Sequence, residues 1–159
     1  MRDQVRDRAE ADLFNREVWF VAAGASGAGH AGAREFIANH GAEINGAIVI
    51  NIEGVGAGEL SCIVKEGADR TYTADRRVVG MIHGAAKHLN IPIHPRMLTW
   101  RNTDATPFYE RKMRTVSIMG LDGDAPASWC WGPDSSDGVD PQLMVEVADL
   151  IAQAIRARG

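Results

Sequence analysis

The residues with the means to do chemistry gather in a few places. Gly27-Ala28-Gly29-His30-Ala31-Gly32 has the G-x-G-x-x-G spacing, follows Ser26, and is trailed by Glu53 about 20 residues on. Such a turn can seat a pyrophosphate on a helix N-terminus while the acid takes a ribose hydroxyl. A nucleotide-binding module built on Gly27, Gly29, Gly32 and Glu53 is therefore one reading. Gly24, Ala25 and Ser26 loosen it, because they separate the preceding apolar run from a fingerprint that is normally tighter. Elsewhere, Asp104 precedes Pro107 in a loop, Cys130 stands between Trp129 and Trp131, and Asp134 and Asp137 follow. Cys130 suits either a reactive thiol or a small buried hydrophobe. The two late aspartates suit acceptors of loop amides ahead of the last helix. His83, His88 and His94 fit surface or internally satisfied positions.

These groups need elements to position them. The apolar run 18–23 (VWFVAA) enters the glycine turn, 30–40 reads as a helix ending at Gly41, and 47–52 (AIVINI) is a second apolar run ending on Glu53. Strand, glycine turn, helix and strand make a right-handed crossover, which predicts a parallel sheet with the turns 23–29 and 53–58 facing one crevice. Residues 59–65 alternate as an edge strand or hairpin. Thr73 reads as the N-cap of a helix over 74–89 whose Val78, Ile82, Ala85, Ala86 and Leu89 share one face. Residues 91–98 form a strand kept near an edge by Pro92 and Pro95, and Thr106-Pro107 opens a short helix. A buried strand spans 115–119, a long loop spans 121–139, and Asp140-Pro141 caps a last helix carrying Leu143, Val147, Leu150, Ile151 and Ala154. Residues 2–14, with Val5, Ala9 and Leu13 on one stripe, read as a charged surface helix.

The whole chain narrows the function classes. Its 159 residues are enough for a single domain with a real core, and 45% hydrophobic with 24% charged residues is ordinary for a globular protein. A formal net charge of −4 gives no reason to expect a nucleic acid. The apolar runs fall well short of the roughly 20 residues that cross a bilayer, so no membrane span is expected. The N-terminal stretch lacks the continuous apolar core of a signal peptide. Two cysteines, Cys62 and Cys130, are too few for a disulfide framework, and a reduced cytoplasmic setting follows.

Four segments in order carry a resemblance. VWFVAAGASGAGHAGAREF, INIEGVGAGEL, NTDATPFYERKMRTVSIMG and WCWGPDSSDGVD resemble the zinc-dependent aminopeptidase family of bacterial leucyl-type aminopeptidases and their relatives, the glutaminyl cyclases. Together they run over about residues 17–155, which divides the chain into an N-terminal helix, 1–16, and a peptidase-like domain, 17–159. The resemblance implies a three-layer α/β sandwich with a mainly parallel sheet of five or six strands. It also implies a site where two zinc ions activate a water and a glutamate acts as general base.

Against that pattern the chain departs at most ligand positions. Ser26 stands at the general-base position and Gly27 at a ligand position, where the family has a Glu-Glu pair. A serine hydroxyl is no useful base at neutral pH, and glycine offers no ligand. Glu53 keeps the acid after the second strand, and Cys130 falls at the late histidine position, a thiolate that zinc accepts. Residues 1–16 hold no histidine to serve as the first ligand. Gly27, Gly29, His30, Asp104, Trp129, Trp131 and Asp134 are expected to line the cleft.

The expectation is a peptidase-like domain without peptidase activity, retained for binding or assembly, with no cofactor, or zinc if it is active. An active metal-dependent hydrolase would need a partner chain, or an altered site on Glu53 and Cys130. Without the family's early strands, one sheet edge stays open, which predicts a homo-oligomer or a partner chain covering it. The cleft itself would take a peptide or small molecule.

Overall fold

The computed structural model describes residues 17–128 and 135–157. The proposed helix at 2–14, and with it the segment 1–16, lies outside the described residues, as do Trp129, Cys130, Trp131 and Asp134. Helix α1 (Ala31–His40) is followed by β1 (Ile48–Glu53), β2 (Glu59–Glu66) and the short β3 (Tyr72–Thr73). Then come α2 (Arg76–Leu89), β4 (His94–Leu98), α3 (Thr106–Glu110), β5 (Arg114–Asp122), β6 (Ala125–Pro126) and α4 (Pro141–Arg156).

The six strands form one mixed sheet with the path β1-β5-β2-β3, β4 pairing with β2 and β6 with β5. The pairs β1–β5 and β2–β4 are parallel; β2–β5, β2–β3 and β5–β6 are antiparallel. The expected mainly parallel sheet is thus corrected. Only residues 54–58 join β1 to β2, whereas a parallel return needs a crossover of a dozen or more residues. The chain therefore doubles back, and β2 enters antiparallel to β5. Gly54 and Gly58 make the turn with φ of 60° and 76°, and at Gly120 any Cβ would collide with the Ala57 carbonyl.

A second correction concerns 18–23. This run forms no strand: among the described residues it makes no backbone hydrogen bond, and Phe20 is 86% exposed. The crossover read from sequence lacks its first half because the run pairs with no strand among the described residues. Nor is β2 an edge; β5 and β4 both pair with it. The segment 121–139 also carries structure, since β5 continues to Asp122 and turns at Gly123 into β6.

The helices form where their apolar spacing said. In α2, Val78, Ile82, Ala85 and Ala86 are buried; in α4, Val147, Leu150 and Ala154 are. The N-cap of α2 is Asp75 rather than Thr73, its carboxylate accepting the amides of Arg77 and Val78. Asp140 caps α4 in the same way. Helices α2 and α4 pack on each other and against Leu60, Cys62, Val116 and Ile118, with Ile48 and Ile50 of β1 at the margin. Ile63, Leu98, Met119 and Leu121 make a second cluster. Alternation along β5 puts Ser117 and Thr115 on the face opposite Val116 and Ile118. On that polar face α3 packs on β5, and α1 packs on α3.

Candidate functional site

The glycine turn folds tightly onto the start of α1. Ala25 (φ 57°), Gly29 (φ 71°) and His30 (φ 60°) are left-handed. For a non-glycine residue that geometry costs roughly 1–2 kcal/mol, so it persists only where surroundings over-determine it. Here they do. The amides of Ala28 and Ala31 donate to the Ala25 carbonyl, that of His30 to Ser26, and that of Gly32 to Gly24. A Cβ on Gly32 would strike the Gly24 backbone, which explains the glycine without a ligand.

That hydrogen bonding corrects the nucleotide reading. A phosphate at a helix N-terminus needs free amides pointing at it. Those of His30, Ala31 and Gly32 are already satisfied within the turn. Gly27 meets nothing within 4 Å of a built Cβ, so close approach does not demand glycine there either.

The loop 99–105, between β4 and α3, ties the remaining groups together. Asp104 accepts a 2.5 Å hydrogen bond from the Ser26 hydroxyl on one oxygen and holds His30 Nδ1 at 2.9 Å on the other. The serine, histidine and aspartate do meet, but in the wrong order for a nucleophile. The serine donates to the carboxylate, not to the imidazole, so the group that receives its proton is a weak carboxylate base rather than the histidine of a triad. Three residues earlier in the same loop, Arg101 Nη2 donates to Glu53 Oε1 at 2.6 Å. The two side chains are 13% and 24% exposed, so this ion pair is largely withdrawn from water.

Between these contacts lies a buried acid. Glu66, at the end of β2, is fully buried and accepts from Thr103 Oγ1 at 2.7 Å and Ser117 Oγ at 2.8 Å. Asn51 of β1 donates in turn to the Ser117 hydroxyl. Tyr109 of α3 approaches the same carboxylate, though outside strict hydrogen-bond geometry. Burial pushes the Glu66 carboxyl above the usual carboxylate range, the three hydroxyls only partly opposing it. Desolvation, with Glu66 adding to it, likewise raises the Tyr109 phenol. Burial alone pushes the Cys62 thiol up to about 11, which leaves it an inert core residue.

The sequence drew attention to Ser26, Gly27, Gly29, His30, Glu53 and Asp104. The structure brings Ser26, His30 and Asp104 into contact and places Glu53 on Arg101. Arg101, Glu66, Thr103 and Ser117 escaped notice. The one available signal was Arg101 three residues before Asp104; nothing local marks Glu66 as buried.

These residues do not fit a two-zinc centre. Among the described residues, no group of three or more His, Cys, Asp or Glu side chains could hold a metal ion. Ser26 and His30 are bonded to Asp104, Gly27 has no side chain, and one oxygen of Glu53 is engaged by a guanidinium. An arginine stands beside the acid where the resemblance calls for a cation.

Comparisons with known proteins agree with this fold. Among solved structures, the chain is similar to the aminopeptidase from Aneurinibacillus sp. strain AM-1, with TM-score 0.63 and 18% identity, covering 84% of this chain and 31% of that one. The glutaminyl cyclase of an Acidobacteriales bacterium gives TM-score 0.62 at 17% identity, covering 80% of this chain and 46% of that one. The Legionella pneumophila aminopeptidase LapA gives TM-score 0.62 at 14% identity, covering 79% and 35%. The chain thus spans from 31% to 46% of the length of these structures. No curated protein matches significantly. A profile of peptidase family M28 matches residues 4–155, nearly the whole chain. By that match, in line with the sheet, the chain belongs to peptidase family M28.

Proposed function

We propose that this domain does not cleave peptides and serves binding or assembly, its cleft holding an internal cation in place of metal. The Arg101–Glu53 contact carries the reading. A guanidinium cannot activate water as a Lewis acid, but it does neutralise the acid at no need for an external ion. The Ser26–Asp104–His30 contacts engage the neighbouring polar groups with one another as well. A peptide or small molecule is the ligand class proposed for what remains of the cleft.

The test is hydrolysis of an amino-acid amide by the full chain, with and without added zinc, beside zinc analysis of protein purified without chelator. No turnover and no stoichiometric zinc are expected. Retained zinc with turnover would favour instead a metal-dependent hydrolase, completed by a partner chain or by Glu53 with Cys130.

Restoring the family's acids should hurt the metal-free fold. Ser26→Glu with Gly27→Glu puts a carboxylate against Asp104 and deletes the 2.5 Å hydrogen bond. In EDTA the expected loss is about 1–3 kcal/mol in urea unfolding. A raised melting temperature in EDTA would refute the argument.

Assembly is proposed at the open edge of β1, as a homo-oligomer or with a partner chain. Among the described residues no helix is long and apolar enough to cross a membrane. The cytoplasmic setting is proposed on the cysteine usage alone.

A further inference from the structure

We infer that the open edge of β1 is completed by residues 18–23 of a second copy of this chain, added as a further strand. The inference rests on the assembly reading and names its contact. Among the described residues, two features of the same chain lack a strand partner. Among the described residues β1 pairs with β5 alone, which leaves one row of its backbone donors and acceptors without a strand partner there. The run 18–23, rich in the aromatic and β-branched residues that strands favour, joins no sheet among the described residues.

The β1 edge is not built to stay in water. Natural edges are blunted by lysine, proline or bulges. On the far side of the sheet β4 follows that rule with Pro95 and Arg96. β1 reads IVINIE, without proline or lysine, and pairs with β5 in unbroken register. Yet no residue of β1 is fully buried, and Ile52 is 48% exposed. Its neighbour β5 buries everything from Thr115 to Leu121. An apolar strand with the composition of an interior one is thus left at a margin.

The run 18–23 is matched to it. Both are six residues long, and neither carries a charge before Glu53, so identical copies meet without repulsion. Trp19 is held edge-on against Phe36 and His40 of α1, and Gly24 is tied to Gly32. The run is thereby anchored at two points with Phe20 and Val21 exposed, which lowers the entropy lost on pairing. Within one copy the tether keeps the run on α1 and off β1. Because each copy carries both halves, the exchange is reciprocal and closes as a two-fold dimer.

Light scattering after size exclusion, with hydrogen exchange, tests this on the full chain at micromolar concentration. The wild type is expected to be a dimer with protected β1 amides. Val21→Pro removes a strand amide at an exposed position, and Phe20→Lys is a second variant that leaves the backbone intact. Both should be monomeric with unchanged circular dichroism, and their β1 amides should exchange at least about tenfold faster. A monomeric wild type would overturn homo-assembly and strand donation together. A dimer that survives either folded variant with β1 still protected would overturn strand donation alone. So would a wild-type dimer whose β1 amides exchange freely. Peptide cleavage is read separately and is not expected to change in any of these proteins.

Discussion

Replacing Arg101 with alanine is expected to lower the stability of this domain by about 2 kcal/mol, measured by urea unfolding at neutral pH. The substitution strands the Glu53 carboxylate, which is 24% exposed and whose second oxygen is buried without a hydrogen-bond partner. Full burial of such a pair would make the loss larger; partial access to water reduces it. Arg101 makes further interactions beyond Glu53, so the single variant does not isolate the pair. A double-mutant cycle does. Glu53→Gln alone should cost less than Arg101→Ala. Combined with Arg101→Ala it should recover about 1–2 kcal/mol, because the stranded charge is gone. If the two losses simply add, Arg101 is not acting as the cation of Glu53. The replacement of metal by guanidinium then fails as an account of this cleft.

Glu66 should dominate the pH dependence of stability. Its folded carboxyl titrates above the ordinary value of 4.5 because burial disfavours the charge. Between that ordinary value and the elevated one, the folded state holds a proton that the unfolded state has released. Stability therefore falls as pH rises through this window, and is unaffected well below it, where both states are protonated. Glu66→Gln keeps the shape and removes the titration. It should match the wild type in acid and exceed it progressively toward neutral pH, the gap appearing in unfolding midpoints. Glu66→Ala is different in kind. It leaves the Thr103 and Ser117 hydroxyls without their acceptor and opens a cavity, at an expected loss of about 2–4 kcal/mol. An unchanged pH slope in Glu66→Gln would show that other groups set the acid response.

The two sites are mechanically one. Loop 99–105 sends Arg101 to Glu53, Thr103 to Glu66 and Asp104 to Ser26 and His30, within four consecutive residues. A sheet end, a buried acid and a helix start are therefore locked by a single connection. Loosening any of these contacts should loosen the others, which is why each prediction is read as a difference between variants.

Spacing alone placed α2 and α4 and identified most of their buried faces, and apolar runs located β1 and β5. It did so because a helix or strand that buries one face must repeat apolar residues at its own period. Family membership was legible too, because four local segments carry it in order. What no local pattern contains is the identity of a neighbour. Residues 18–23 have the composition of a strand, but a strand exists only by pairing, and the described chain supplies no partner. The direction of β2 depended on the shortness of residues 54–58, not on the composition of the strands they join. Arg101 and Glu66 look like ordinary charged residues until long-range contacts carry one onto Glu53 and seal the other under Thr103 and Ser117. The sequence by itself determined the main helices, the strands β1 and β5, and the lineage. Tertiary structure alone decided pairing, burial and which charge answers which, because each joins residues far apart in the chain.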